Sequence, residues 1–262
     1  MSTETDFRDT APFEVRQPER QTVPFVFNSP HSGRHYPQRF LAMARLDRDA
    51  IRRSEDCFVD ELFRESLALG APMLAANFPR AYLDVNREPW ELDPRMFLET
   101  PPPFANVRSA RVAGGLGTVP RIVGEGQEIY GGKIPLDEAV GRINLIYKPY
   151  HESLRRLIVA TQARFGVAAL IDCHSMPHEA VDGIARNSAR RPEIVIGDRF
   201  GASATPEIVE CIESAFAAAG LTVVRNTPFA GAYVTQAYGR PSRGQHAVQV
   251  EIDRSIYMDE TQ

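Results

Sequence analysis

The chain has 262 residues, 43% hydrophobic and 24% charged, with a formal net charge of −4. Those values describe a globular protein with a sizeable core and exclude a long disordered or collagen-like chain. The mild acidity argues against a nucleic-acid or anionic-membrane surface, which needs a basic excess, and no apolar run reaches the ~20 residues of a membrane span.

The polar stretch Met1 to Gln21 lacks an apolar signal core, and the three cysteines Cys57, Cys173 and Cys211 form no even disulfide framework. We therefore expect a loose N-terminal arm over 1–21 on a cytoplasmic protein. With no internal repeat and no evident linker, a single domain over 1–262 is expected.

Val23 to Phe27 reads as a strand that exits into Asn28-Ser29-Pro30-His31-Ser32-Gly33, turn chemistry carrying a histidine. From Asp47 a helical spacing develops through Phe58, Val59, Leu62 and Phe63, with Gly70 as its stop. Glu55 and Asp56 lie near its start, where acidic side chains also simply complement the helix dipole. Ala71 to Ala76 reads as a short strand, and Tyr82, Leu83 and Val85 as another, flanked by Arg80, Asn86 and Arg87. Arginine suits carboxylate recognition and oxyanion stabilisation because its planar fork is always charged.

Phe97 to Gly132 is rich in proline and glycine and has little periodicity, which marks a functional loop or lid, or an insert without fixed structure. Leu136 to Phe165 returns to helix, with Pro149 expected to kink or divide it. Val167 to Ile171 reads as a buried strand ending abruptly in Asp172-Cys173-His174-Ser175. In open α/β sheets such strand ends line the ligand crevice. Glu193 to Gly197 is a short strand, Thr205-Pro206 opens a helix closed by Gly220, and Leu221 to Arg225 is a further strand. A polar loop is expected from Gly231 through Gly244. Finally, Ala247 to Asp253 alternates, putting Val248, Val250 and Ile252 on one face and Gln249, Glu251 and Asp253 on the other.

Two histidines and a carboxylate delivered at element ends match a common catalytic zinc set, two His and one Asp or Glu with a position left for water. Such chemistry needs a general base and a cation for the tetrahedral oxyanion, roles that Glu251 and Arg80 can fill. No His-Glu-x-x-His motif is present, and periodicity does not choose between these histidines and His35, His151, His178 or His246.

Five blocks narrow the choice. Ser29-Pro30-His31-Ser32-Gly33, Asp56 with Val59, Asp84-Val85-Asn86-Arg87, Asp172-Cys173-His174-Ser175, and Gln249-Val250-Glu251 with Tyr257-Met258-Asp259-Glu260 stand in this order. Together they resemble the N-formylglutamate amidohydrolase family, from about Val23 to Glu260. The resemblance implies an α/β fold, a three-layer α/β/α sandwich around a mixed sheet similar to zinc carboxypeptidases and aspartoacylases. It implies one zinc ion (Zn2+) per chain on His31, Asp56 and His174, with Glu55 as the alternative acidic ligand. It further implies Glu251 as the proton-transferring carboxylate, Arg80 at the oxyanion, and Asn86 and Arg87 on a substrate carboxylate.

The implied reaction is hydrolysis of the amide of an N-acyl amino acid, most simply N-formyl-L-glutamate to formate and L-glutamate. Val85 replaces the family's usual leucine, and His31-Ser32-Gly33-Arg34 stands where the wider group carries His-x-x-Glu, so the acidic ligand is expected from the following helix. Three other readings compete. They are an amidase for another N-acyl amino acid or small peptide, a metal-free binder of acidic amino acids using Arg80 and Arg87, and a cysteine hydrolase using Cys173. The last is poor, because neighbouring side chains on a strand point to opposite faces.

Overall fold

The computed structural model describes residues 6–186 and 190–260. Strands β1 (Phe13–Arg16) and β2 (Phe25–Ser29) precede helices α1 (Gln38–Met43), α2 (Arg48–Arg52) and α3 (Val59–Leu62), then β3 (Met73–Ala76). Short helix α4 (Ala110–Ala113) is followed by α5 (Leu136–Arg142) and α6 (Lys148–Phe165). Strand β4 (Ala168–Met176), helix α7 (Asp182–Ala185), β5 (Ile194–Gly197), α8 (Pro206–Ala218), β6 (Val223–Arg225), α9 (Tyr233–Tyr238) and β7 (Gln245–Asp253) complete the order.

Seven strands form one mixed sheet in the order β1-β3-β2-β4-β7-β5-β6. β2, β4 and β7 run parallel, whereas β5 pairs with β7 antiparallel and with β6 parallel. This is the mixed-sheet α/β architecture expected from the family resemblance.

Contacts gather the chain into two compact units. One comprises the described residues up to Val15 together with 30–57 and 75–154; the other comprises 16–29, 58–74 and 155 onward. In the second unit the strand alternation decides which side chains are core. Ile171, Cys173, Val248, Val250, Ile252, Ile194 and Ile196 share one apolar face, packed with Val209 and Ile212 of α8 and with Val59. Each such aliphatic side chain contributes roughly 1.5–3 kcal/mol by leaving water. The opposite face carries Asp172, His174, Gln249 and Glu251, all buried.

The first unit is largely irregular and needs partners for its buried backbone groups. The turn 79–87 obtains them from the α5–α6 region. Arg142, fully buried, donates to the carbonyl of Tyr82 and stacks over its ring at 4.0 Å. His151 Nε2 lies 2.8 Å from the carbonyl of Val85, and Tyr147 donates to that of Arg87 at 2.7 Å.

Several elements differ from their sequence reading, each for a local reason. β4 runs on past Ile171 to Met176, because parallel neighbours continue its ladder and the polar side chains are satisfied on one face. The helix expected from Asp47 breaks at 53–58: Asp47 caps α2 and Phe58 takes φ 62° before α3. Tyr82 to Val85 is a turn, not a strand, since Tyr82 and Leu83 both donate to the carbonyl of Pro79 and the Asp84 carboxylate captures the amide of Asn86.

A π-helical stretch, Ile143–Tyr147, lies just before Pro149, which cannot donate to the preceding turn. Tyr233–Tyr238 forms α9 within the expected polar loop. Phe13–Arg16, expected in a loose arm, forms β1, and Pro12 and Ala11 carbonyls accept from Asn77.

Candidate active site

Two of the predicted ligands are histidines, each reached by its own route. β2 ends at Ser29 and the chain turns through Pro30, leaving His31 in the loop, 1% exposed. Gly33 is required just beyond it, because a Cβ there would lie 2.1 Å from the carbonyl oxygen of Phe78. His31 Nε2 lies 2.8 Å from Asp84 Oδ1, and a carboxylate only accepts, so the ring donates there and turns Nδ1 the other way. Asp84 Oδ2 is bound in turn by Arg80 Nε at 3.0 Å, with Arg87 Nε at 3.5 Å. Burial alone would raise the Asp84 pKa; the charges of Arg87, His31 and Arg80 outweigh it and hold the carboxyl well below the usual range.

His174 is held inside β4. Its Nε2 lies 2.9 Å from Asp172 Oδ2, two residues back and therefore on the same face of the strand. Asp172 Oδ1 accepts from Asn28 Nδ2 at 2.6 Å, across the β2–β4 pair that sets Asn28 beside Asp172. The ring again turns Nδ1 away from its carboxylate. The β4–β7 register places Glu251 directly opposite His174, and Gln249 opposite Asp172. Glu251 Oε1 accepts from Gln249 Nε2 at 2.7 Å.

Asp56 lies in the break between α2 and α3. Its backbone amide donates to the carbonyl of His31 at 3.1 Å, and its Oδ2 is 3.4 Å from His31 Nδ1. The ligand atoms of His31, Asp56 and His174 all lie within 4.8 Å of one another, and all three residues are buried. Two imidazole nitrogens and a carboxylate, with each imidazole backed by a further carboxylate, are a donor set that fits a divalent ion.

Glu55, the alternative ligand, is turned to other partners: it accepts from Tyr36, from Arg52 Nε at 3.2 Å and from Cys57 Sγ at 3.6 Å.

The remaining predicted residues lie on the 79–91 turn. Arg80 keeps 26% of its side chain exposed, and its bond to Asp84 fixes the plane of the fork. Arg87 is buried, with Nε donating to the carbonyl of Leu116 and Nη1 to that of Asn86. Burial lowers its pKa to about 10 against the attraction of Asp84. Asn86 is 1% exposed.

The proline- and glycine-rich segment after Phe97 is pinned here. Thr118 exchanges backbone bonds with Asp84 and Glu91, and Gly117 sits where a Cβ would come 2.2 Å from the carbonyl of Glu91. Residues 116–118 thus act as a fixed wall behind Arg87. Cys173 points into the apolar core and burial, with Asp172 beside it, pushes its thiol well up, which removes it as a nucleophile.

Asp84 and Asp172 belong to the sequence blocks, but nothing in the blocks themselves assigns them a role. The i−2 spacing from His174 is a signal that Asp172 shares its face. Nothing in spacing links Asp84 to His31, 53 residues away. Nor does the sequence assign a role to Asn28 or Gln249.

A buried carboxylate opposite a histidine on a mixed α/β sheet, together with a His–Asp–His group that could hold a metal ion, is an arrangement that an amide hydrolase can use. The comparisons agree. A family model described as N-formylglutamate amidohydrolase matches residues 23–258, and the chain belongs to that family.

The N-formylglutamate deformylase of Pseudomonas putida is 29% identical over 253 residues, covering 92% of this chain and 84% of its own. The deformylase of Pseudomonas aeruginosa is also 29% identical, with 94% and 86% covered. The crystal structure of N-formylglutamate amidohydrolase from Ralstonia eutropha JMP134 superposes with a TM-score of 0.87 at 35% identity, covering 95% of this chain and 89% of that one. A gene product of Agrobacterium tumefaciens shares the fold, with a TM-score of 0.66 at 19% identity over 99% and 90% of the two chains. Among the described residues, no helix is long and apolar enough to cross a membrane.

Proposed function

We propose that this protein is a cytoplasmic, zinc-dependent enzyme that hydrolyses N-formyl-L-glutamate to formate and L-glutamate, with one zinc ion per chain. The observation that carries the reading is the group of His31, Asp56 and His174, whose ligand atoms lie within 4.8 Å of one another. The names of the relatives supply the substrate. Zinc suits a set of two nitrogens and a carboxylate, and would polarise the amide carbonyl and acidify a water molecule.

The rest of the chemistry belongs to the chain. His31 and His174 present Nδ1 because Asp84 and Asp172 occupy Nε2. Glu251 takes a proton from the attacking water and returns it to the amide nitrogen, so that the C–N bond breaks to give amine and formic acid. Formic acid then yields its proton to the amine, so the cycle needs no proton from outside. Arg80 offsets the charge that builds on the carbonyl oxygen. Asn86 and Arg87 hold a substrate carboxylate.

Glu251→Gln separates binding from chemistry. The variant should keep its metal and lose formate release by roughly 10²- to 10⁴-fold, the range for general acid–base groups. A variant that turns over at the wild-type rate would remove Glu251 from the mechanism. Zinc binding without release of formate from N-formyl-L-glutamate would redirect the assignment to another N-acyl amino acid.

A further inference from the structure

On β7 the residue two before Glu251 shares its face, and that residue is Gln249, buried and 5% exposed. Gln249 Nε2 donates to Glu251 Oε1 at 2.7 Å, and a carboxylate that is to act as a base offers only lone pairs, so the Gln249 nitrogen faces it. Turning the amide over would set oxygen against oxygen. The Gln249 Oε1 is then fixed as well, and among the described residues it has no hydrogen-bond partner although it is shielded from solvent. A buried acceptor without a donor costs about 1–3 kcal/mol, so a fold retains one where something else supplies the proton.

The neighbours narrow what that donor is. In the same row across the sheet stand Asn28 and Asp172, which bind one another at 2.6 Å, and Gly197, which has no side chain. One row on stand His174 and Val195, flanking Glu251 itself. The open acceptor therefore belongs to the side chain that holds the Glu251 carboxylate, the proposed base.

A water molecule has two protons. We propose that Gln249 is a positioning residue of the hydrolytic reaction: its Nε2 fixes the Glu251 carboxylate, and its Oε1 accepts the second proton of the water that Glu251 deprotonates. No proton is transferred to Gln249; it turns the water so that one O–H points at Glu251 and a lone pair points at the amide carbon.

This inference rests on Glu251 being the base. The experiment compares Gln249→Leu, Gln249→Glu and Glu251→Gln with the wild type for kcat and KM on N-formyl-L-glutamate, zinc affinity by chelator competition, and Tm. Gln249→Leu keeps the size of the side chain and loses both polar atoms. It should lower kcat on the order of 10²-fold, the scale set by misplacing a reacting group, with KM and zinc affinity within about threefold of wild type.

Gln249→Glu keeps an acceptor but sets two carboxylates together, and should not restore kcat. A Gln249→Leu protein with wild-type kcat overturns the proposal, as does one whose lost activity is matched by lost zinc or a lowered Tm. If Glu251→Gln is itself fully active, the failure lies with the base assignment. A kcat deficit in Gln249→Leu alone would then also overturn the coupling drawn here.

Discussion

His31 and His174, the two proposed imidazole ligands, are held by opposite kinds of structure. His174 stands in a nine-residue strand between two parallel partners, so the backbone fixes where its ring begins. Its supporting carboxylate, Asp172, comes from the same strand and is held by a neutral amide, Asn28. His31 stands in a loop, and its support is a charged cluster: Asp84 held by Arg80 and Arg87. Where the backbone is regular, a neutral amide takes part in holding the supporting carboxylate. Where it is irregular, ion pairs and carbonyl clamps from Arg142, Tyr147 and His151 replace the sheet.

The largest effects come from removing the histidines. His31→Ala and His174→Ala should each abolish both stoichiometric metal binding and formate release, read by elemental analysis and a formate assay. A histidine variant that keeps its metal would place that ring outside the ligand set.

The comparison sharpens with the supporting carboxylates. Asp84→Asn leaves Arg87 buried beside an uncharged partner and should cost about 3 kcal/mol or more in urea denaturation, since breaking one side of a buried pair is expensive. Asp172→Asn changes the acceptor that serves the Asn28 amide and the His174 ring, and should cost less than half as much. Both should weaken metal binding by roughly 10- to 100-fold, the usual effect of losing a carboxylate behind a ligating histidine. Equal destabilisation by the two would contradict the contrast drawn between loop and strand.

The regions also share a pH response. Burial, with Glu55 beside it, raises the Tyr36 pKa, and burial raises that of Tyr82 although Arg142 opposes it. Burial, with Asp172, raises that of Cys173. These groups keep their protons in the folded state at a pH where the unfolded chain releases them, so the native state binds more protons and stability falls as pH rises. Their contribution should be intact below about pH 8.5 and decline above it, towards and beyond the ordinary tyrosine range near pH 10. Urea midpoints at pH 7.5 and 10.5 measure this; an unchanged midpoint would mean that these side chains are solvated.

The smallest effect concerns thiols. Cys211 is exposed and Cys173 buried, so a thiol reagent should modify Cys211 in the native protein and Cys173 only after denaturation. Rapid native labelling of Cys173 would revive it as a nucleophile.

Much of this was legible in the sequence because β-strand period 2 is a strict rule. Val248, Val250 and Ile252 against Gln249, Glu251 and Asp253 separate the apolar core face from the polar face that carries the proposed base. The family blocks already bring His31, Asp56 and His174 together, as the structure does.

The losses have physical causes. The apolar run of β4 stops at Ile171, but a strand continues as long as its neighbours pair with it and its polar side chains find partners. Tyr82 to Val85 has strand-forming residues, yet the Pro79 carbonyl and the Asp84 carboxylate capture the local amides and fold it into a turn. The helix expected across 47–63 breaks where the chain must deliver Asp56 to His31. Side-chain networks such as Asp84 with His31 join residues far apart in sequence, and no local pattern encodes them.

The most direct test of the central claim is metal content of the purified protein, taken together with formate release from N-formyl-L-glutamate before and after chelation. The account predicts about one zinc ion per chain, activity lost on chelation and restored by added zinc. A protein that binds no divalent ion even when zinc is supplied, or one that releases formate at full rate without it, would contradict the account.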